Sequence, residues 1–317
     1  MRYRSLGSSG LQVSVVGLGC NNFGRRLDVN GTRAVVEAAL DAGITLFDTA
    51  DTYGGRGASE SLMGEVLGAR RDQIVLATKW GNQKADMGYG PVAGAKGGRA
   101  YLKRAVTESL RRLRTDHIDL YQLHTPDPET PIDETILALD ELITEGKVRY
   151  AGHSNFSGWQ LTDAEHVARE LGRNRFISAQ NEWSLLDRSA EAELLPAARH
   201  FGLGVLPFYP LANGLLTGKV RRGQDVPEGT RLAERDGYIT GTKLDRVEAM
   251  IEWAEGQGAT ILEVAIGGLA AIPGCGSVIA GATSPEQVKA NAAAGDWIPS
   301  AEQLAELDTI VAPGQAA

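Results

Sequence analysis

Three short apolar runs near the start of the chain each end on a side chain that can move or bind a proton. Ile44–Phe47 runs into Asp48, with Tyr53 five residues further on; Ile74–Thr78 runs into Lys79; Ile118–Leu123 runs into His124. A carboxylate and a phenol at this spacing, just beyond a strand end, can face one pocket. A free phenol titrates near 10, too high for a ready proton donor at neutral pH. A neighbouring ammonium lowers that value by stabilising the phenolate, so Lys79 is expected to bring Tyr53 down. The plainer alternative is a structural ion pair between Asp48 and Lys79 beside an ordinary tyrosine. Four such residues arriving together on consecutive strand ends favour chemistry.

These side chains need a scaffold that brings successive strand ends together. Tyr3–Leu6, the Gly7–Gly10 turn and Leu11–Ser14 read as a hairpin, and Val15–Leu18 as a first buried strand. Further strands are expected at Ile44–Phe47, Ile74–Thr78, Ile118–Leu123, Val148–Ala151, Ile177–Ala179, Val205–Phe208 and Ser277–Ala280. Between them lie helical patterns at Thr32–Ala42, Ser59–Leu67, from Arg99, around Ile136–Ile143 and at Ser284–Ala293, with extra helices at Leu244–Glu255 and Glu302–Val311. Gly81–Gly98 is glycine-rich and aperiodic, hence a flexible loop, and Ala212–Thr242 is a long irregular excursion. Apolar runs alternating with helices imply parallel strands buried on both faces. Chemistry at three successive strand ends favours closure over an open sheet. The expected fold is α/β: one (β/α)8 TIM barrel over residues 1–317, with an N-terminal β-hairpin cap and two extra helices.

Composition narrows the partners. The chain has 317 residues, 43% of them apolar, and a formal net charge of -8; its mean hydropathy is -0.18. That balance argues against nucleic acid or an anionic membrane as main partner. Val13–Cys20 after Arg2 and Arg4 faintly resembles a lipoprotein leader, but its apolar part is short and broken by two glycines. No stretch approaches the roughly 20 apolar residues of a membrane span. Cys20 and Cys275 are far apart and no zinc-ligand spacing exists. A cytoplasmic protein without a metal site is expected.

Several motifs fail on inspection. Gly17-Leu18-Gly19 starts a dinucleotide fingerprint, but Asn22 stands where its third glycine belongs. Gly218-Lys219 lacks the rest of a phosphate loop, with Asn213 and Val220 at the outer positions. The Asn30 and Asn155 glycosylation sequons are common accidents. His117, His166 and His200 sit in or beside helical stretches as surface residues. His153 precedes Ser154-Asn155 at a strand end and has no assigned role.

Phe47-Asp48-Thr49-Ala50-Asp51-Thr52-Tyr53-Gly54, Thr78-Lys79-Trp80 and Leu123-His124 together resemble the tetrad of the aldo-keto reductases. The resemblance runs over nearly the whole chain. It implies a nicotinamide cofactor held without a Rossmann fold, and a small-molecule carbonyl substrate. It makes Tyr53 the general acid, Lys79 its activator, Asp48 the partner of Lys79, and His124 the donor that aligns the carbonyl oxygen. Gly152-His153-Ser154-Asn155-Phe156 resembles the segment whose Ser and Asn hold the nicotinamide carboxamide; His153 falls where the family is usually apolar. Gln180 resembles the second carboxamide ligand. In Pro207–Leu211, Phe208 resembles the ring stacked under the nicotinamide, although Tyr209 replaces a frequent serine and leaves the stacking residue open. Leu211–Lys219 resembles the loop that closes over the pyrophosphate. The expected cofactor contacts are therefore Cys20, Asn21, Asp48, Ser154, Asn155, Gln180, Phe208, Tyr209, Pro210, Leu211, Asn213, Gly214, Lys219, Arg231, Gly281, Thr283, Gln287 and Asn291.

Gly281 and Gln287 depart from the basic pair that many members present to a 2′-phosphate, and resemble the bacterial branch and the potassium-channel β subunits. There a basic pair matching Lys219 and Arg231 contributes instead. The resemblance implies NADPH-dependent, reversible reduction of aldehydes and ketones, with NADH open as cofactor. Two alternatives stand beside it: an NADPH-binding, redox-sensing regulatory subunit with little turnover, and an NAD-dependent sugar or alcohol dehydrogenase. The channel subunits lack a histidine at the position of His124, which favours an enzyme.

Overall fold

The computed structural model describes residues 1–228, 231–235 and 237–314. β1 (Tyr3–Ser5) and β2 (Gln12–Ser14) pair antiparallel as the expected hairpin. They are followed by β3 (Val16–Gly19), β4 (Leu46–Asp48), β5 (Val75–Trp80) and β6 (Ile118–Leu123). β7 (Val148–Ser154), β8 (Phe176–Glu182), β9 (Gly204–Phe208) and β10 (Val278–Gly281) complete the set. Among the described residues these last eight strands form one parallel sheet, paired in chain order from β3 to β9 with β10 on the outer side of β3. The final seam is a single bridge, Val205 to Cys275, rather than a full ladder. The Val205 amide donates to Gly274 O at 2.8 Å and the Gly276 amide to Val205 O at 2.7 Å. The barrel is thus nearly closed, a (β/α)8 TIM barrel.

Helices α1 (Val29–Asp41), α2 (Ala58–Leu67), α3 (Arg99–Leu113), α4 (Ile132–Thr144), α5 (Gly158–Glu170) and α6 (Leu194–Phe201) return the chain between strands. α7 (Gly241–Gly256), α8 (Ile261–Glu263) and α9 (Leu269–Ala271) precede β10, and α10 (Pro285–Ala294) and α11 (Ala301–Ile310) follow it. α1 begins three residues before the expected Thr32, because the Asp28 carboxylate caps it by accepting from Gly31 N at 2.9 Å. The expected excursion over 212–242 includes Gly229, Thr230 and Asp236, which lie outside the described residues.

The sequence reading contained no helix between α7 and β10. There α8 and α9 are joined through a π-helical turn, Val264–Gly268, and most of the segment is buried. A helix buried all round has no amphipathic stripe to read. Its start is written in the sequence nonetheless: Thr260 and Glu263 form a reciprocal capping box. Gly267 is needed for packing, since a Cβ there would lie 2.5 Å from Trp297 O.

Two apolar layers hold the barrel. Inside, Leu46, Ala77, Leu120, Leu206 and Ile279 pack with Leu6 and Val13 of the hairpin. Outside, residues such as Phe47, Leu76, Tyr121, Val205 and Val278 meet the helices. The strand period of two then decides what each strand end presents. Counting from Leu46, Ala77 and Leu120, the inward register continues to Asp48, Lys79 and Gln122, and beyond the strand end to His124. Gly17 and Gly19 occupy inward positions of β3, where a Cβ would come within 3.2 Å of Leu46 or Ile279. This is the structural use of the glycines that mimic a dinucleotide fingerprint.

Candidate functional site

Strand register assembles the site. Asp48 pairs with Ala77, Lys79 with Gln122, Gln122 with Gly152, Ser154 with Gln180, and Glu182 with Phe208. The polar strand ends are therefore held in the sheet rather than on loops. His124 lies just past β6, its amide donating to Trp80 O at 2.7 Å. Tyr53 sits on the turn between β4 and α2. The next residue, Gly54, has φ +71°, and a Cβ there would lie 2.8 Å from Phe23 O, so only glycine lets the chain turn so closely.

At the centre the Lys79 ammonium, fully buried, donates to Asp48 Oδ2 at 2.6 Å and to Thr49 O at 2.8 Å. It also reaches the Tyr53 hydroxyl at 3.3 Å. The other oxygen of Asp48 accepts from Gln180 Nε2 at 2.9 Å and from Gln122 Nε2 at 3.2 Å. The Asp48 carboxylate is thus engaged on both oxygens. Tyr53 and His124 meet edge to face with ring centroids 5.9 Å apart.

The electrostatics correct one expectation. Burial pushes the Tyr53 phenol above its ordinary value; Lys79 pulls it down, but not far enough to reverse the sign. The ammonium is already committed to closer oxygens, and Asp48 offsets part of its charge. Burial by itself would lower Lys79, yet Asp48 and then Tyr53 outweigh it and hold the ammonium above its usual range. His124 is pushed down to about 3 by burial and by Lys79, which makes it a neutral imidazole. Among the described residues its buried Nδ1 has no hydrogen-bond partner, leaving Nε2 to serve the cleft.

One cleft of about 830 Å³ opens from this cluster. It is lined by Tyr53, His124 and every expected cofactor position: Cys20, Asn21, Asp48, Ser154, Asn155, Gln180, Phe208, Tyr209, Pro210, Leu211, Asn213, Gly214, Lys219, Arg231, Gly281, Thr283, Gln287 and Asn291. Lys79 lies beneath the wall. Ser154 Oγ donates to Gln180 O at 2.8 Å and accepts from Asn155 Nδ2 at 3.0 Å; the same amide donates to His124 O at 2.9 Å. The donor NH2 of Asn155 is thereby spent and its carbonyl oxygen is left for a ligand. Tyr209, Ala212 and Asn213 have φ of +53°, +47° and +59°. Such a run of non-glycine residues in the left-handed region marks a backbone shaped for something other than stability.

At the opposite end α10 starts on the Ser284 cap, with Pro285 in its first turn, and Gln287 Oε1 accepts from Thr283 N at 2.9 Å. Arg231 donates to Asn21 Oδ1 at 3.3 Å and lies 5.4 Å from the Tyr209 ring centroid. Burial lowers the Arg231 guanidinium, and Arg26, Arg25 and Arg235 push the same way against Tyr209. A cluster of guanidinium groups in a chain of net charge -8 is a strong local field for anions.

Asn22, Arg26, Asn82, Lys84, Thr125, Leu262 and Glu286, which carry no expected contact, also line the cleft, as does Thr217 of the expected pyrophosphate loop. Leu262 belongs to the buried helical segment and carried no signal. Asn82 and Thr125 each lie two residues beyond the ends of β5 and β6, close to Lys79 and His124 in sequence, a proximity that could have exposed them. His153 faces away from the cleft. It alternates with Ser154 on β7, stacks on Phe156 at 4.3 Å and meets Phe176 edge-on at 5.2 Å. Neither ring nitrogen has a partner among the described residues, and burial pushes it down to about 3. It is an aromatic core residue.

A parallel barrel with an ammonium, a carboxylate, a phenol and an imidazole gathered at the carboxyl ends of adjacent strands defines a class: a barrel enzyme that works at its C-terminal face. The Aldo/keto reductase family model matches residues 15–312, and the chain belongs to that family. It is an NAD(P)H-dependent oxidoreductase acting on aldehydes and ketones. The chain is 39% identical over 296 residues to "Uncharacterized oxidoreductase YrpG" of Bacillus subtilis (strain 168), covering 91% of this chain and 89% of the relative. It is 36% identical over 314 residues to "Probable voltage-gated potassium channel subunit beta" of Oryza sativa subsp. japonica, covering 94% and 92%. To "L-glyceraldehyde 3-phosphate reductase" of Escherichia coli (strain K12) it is 32% identical over 332 residues, covering 99% and 94%. No described helix is long and apolar enough to cross a membrane.

Proposed function

We propose that this chain is an NADPH-dependent carbonyl reductase in which Tyr53 is the general acid. The observation that carries the reading is the Tyr53 hydroxyl, 3.3 Å from a buried ammonium that Asp48 holds at 2.6 Å, at the edge of the cleft beside His124. Bound NADPH supplies a hydride to the carbonyl carbon. Tyr53 gives its proton to the oxygen that gains charge, so hydride and proton together make the alcohol. A phenol raised by burial remains protonated at neutral pH and suits this role, because an alkoxide is a far stronger base than a phenolate. The phenolate left behind forms beside a cation already in place, which needs no reorganisation. His124, neutral, donates from Nε2 to the carbonyl oxygen and orients it.

The residues present fit the cofactor. The Phe208 ring offers a face for a flat heterocycle, with Tyr209 as the alternative. Asn155 Oδ1 and Gln180 flank the place for a carboxamide, and α10 opens towards a phosphate. Arg231, within the guanidinium cluster, and Lys219, which lines the same cleft, favour NADPH over NADH. Steady-state reduction of 4-nitrobenzaldehyde with each cofactor tests both parts. Turnover with NADPH that exceeds turnover with NADH is the expected result. No turnover with either cofactor overturns the reductase, and equal rates overturn the cofactor assignment.

The 36% identity to the rice protein named as a channel subunit favours a second reading, a cofactor-holding regulatory subunit. Tight NADPH binding with negligible turnover is its signature in the same assay.

A further inference from the structure

The loop expected to be flexible, between β5 and α3, carries a staple at its catalytic end. Lys96 Nζ donates to Asn82 O at 2.7 Å, Gln83 O at 3.0 Å and Ala85 O at 2.7 Å. Its own carbonyl accepts from Trp80 Nε1 at 3.2 Å, on the strand that bears Lys79. The Asn82 side chain closes the turn by accepting from Lys84 N at 2.9 Å. Gln83 N donates to Thr125 Oγ1 at 3.0 Å, and Thr125 Oγ1 in turn donates to Gly81 O at 3.0 Å. Carbonyls of the turn thus wrap around one ammonium, while the turn is bolted to the residue that follows His124.

Lys84 stands in the middle of that turn, exposed, and both it and Asn82 line the cleft. Among the described residues its ammonium has no side-chain partner, and the nearby carboxylates are committed elsewhere. Asp86 pairs with Arg56 at 3.5 Å and accepts from Gly88 N at 2.8 Å. Asp127 accepts from Gly97 N at 2.5 Å, Glu129 N at 3.1 Å and Thr130 Oγ1 at 2.8 Å. The carboxylates lining the cleft are Asp48, engaged on both oxygens, and Glu286, on the far α10. The path from His124 through Thr125, its hydrogen bond from Gln83 N, and Gln83 keeps the Cα atoms of His124 and Lys84 within about 15 Å of each other. A lysine side chain spans nearly half of that.

We propose that this end of the cleft is a subsite for an anionic group, carboxylate or phosphate, borne by the carbonyl substrate, with Lys84 as its counter-charge and Lys96 as the positioning residue. The inference rests on the carbonyl-reductase reading and narrows its substrate class. A para-substituted benzaldehyde carries its charge on a rigid ring, opposite the carbonyl.

The test compares kcat/KM for 4-carboxybenzaldehyde, 4-formylphenyl phosphate and the neutral methyl ester of 4-carboxybenzaldehyde, in wild type and in Lys84→Met. The wild type should prefer at least one anion, and the larger preference identifies which. In Lys84→Met the anion-to-ester ratio should fall about three- to tenfold, an ion-pair effect discounted for exposure, and added salt should erase the difference. Lys96→Met should raise KM for the preferred anion more than it lowers kcat, with Lys96→Arg restoring part of the loss. A Lys96 variant that fails to fold leaves the Lys84 comparison decisive. A wild type indifferent to charge, or a ratio that survives Lys84→Met, overturns the proposal. Failure to reduce any of the three aldehydes would instead sink the reductase reading. Calorimetric titration of 4-carboxybenzaldehyde into wild type and Lys84→Met then decides the subsite, with equal affinities overturning it.

Discussion

A single phenol and a single ammonium set the chemistry proposed for this cleft. Tyr53→Phe removes one oxygen and leaves the ring, so cofactor affinity should hold while kcat falls by about 10²–10⁴, the usual range for a general acid. Retention of more than about a tenth of the rate assigns the proton to another group. Lys79→Met strands Asp48 with, among the described residues, only the Gln122 and Gln180 amides as donors. Breaking a buried pair costs about 3–5 kcal/mol. In that variant the carboxyl is driven up, so the penalty is absent at acid pH and grows as pH climbs above about 4, the unfolded value. Thermal melts of the variant and wild type between pH 4 and 7 should therefore diverge with rising pH; a constant gap argues against a buried charge. The neutral His124 gives no limb near pH 6.5 in kcat/KM, and an inflection there would mean that it titrates.

Among the buried titratable groups that the proposed chemistry leaves aside are Asp51, on the turn between β4 and α2, and His153, on β7. Asp51, between Asp48 and Tyr53, is fully buried, and neither of its oxygens is bonded among the described residues. Burial first, and then Glu60, push it up to about 8, against Arg112, Lys79 and Lys96. A raised carboxyl destabilises the fold as pH rises from its unfolded value to its folded one. Asp51→Asn should gain stability over wild type by up to about 1.4 kcal/mol per pH unit across that window, and level off above it. Melts that keep a constant difference from pH 4 to 8 would deny the buried proton. His153 has the opposite sign. With its value near 3 in the fold, it destabilises as pH falls below about 6.5. His153→Phe keeps the stack on Phe156, loses no hydrogen bond, and should melt higher than wild type at pH 5 than it does at pH 8. Equal differences at both pH values would mean that the ring carries no charge penalty.

Across the whole molecule the charge is uneven: net -8 overall, yet Arg25, Arg26 and Arg235 all bear on Arg231 at one end of the cleft. Arg231→Ala should weaken NADPH by about one to two decades, as for one charge-assisted bond, and scarcely change NADH. Fluorescence titration of both cofactors checks this. An equal loss for both assigns Arg231 to the adenine or the loop. Much of the barrel and its site was legible along the chain, because a strand announces itself by a short apolar run and the residue at its end follows in sequence. Asp48, Lys79 and His124 needed only that rule. The capping box at Thr260 was legible too, although the buried segment behind it had no stripe to betray it. What the sequence alone determined was the order of the elements and the kind of side chain delivered at each strand end, since both depend on local periodicity. Only the tertiary structure decided the rest. Strand parity turned Ser154 into the cleft and His153 into the core. Burial outweighed Lys79 and raised Tyr53, and Lys96 locked a glycine-rich loop beside the site. Each depends on neighbours distant in sequence, and burial and dielectric are properties of the packed molecule rather than of any stretch of it.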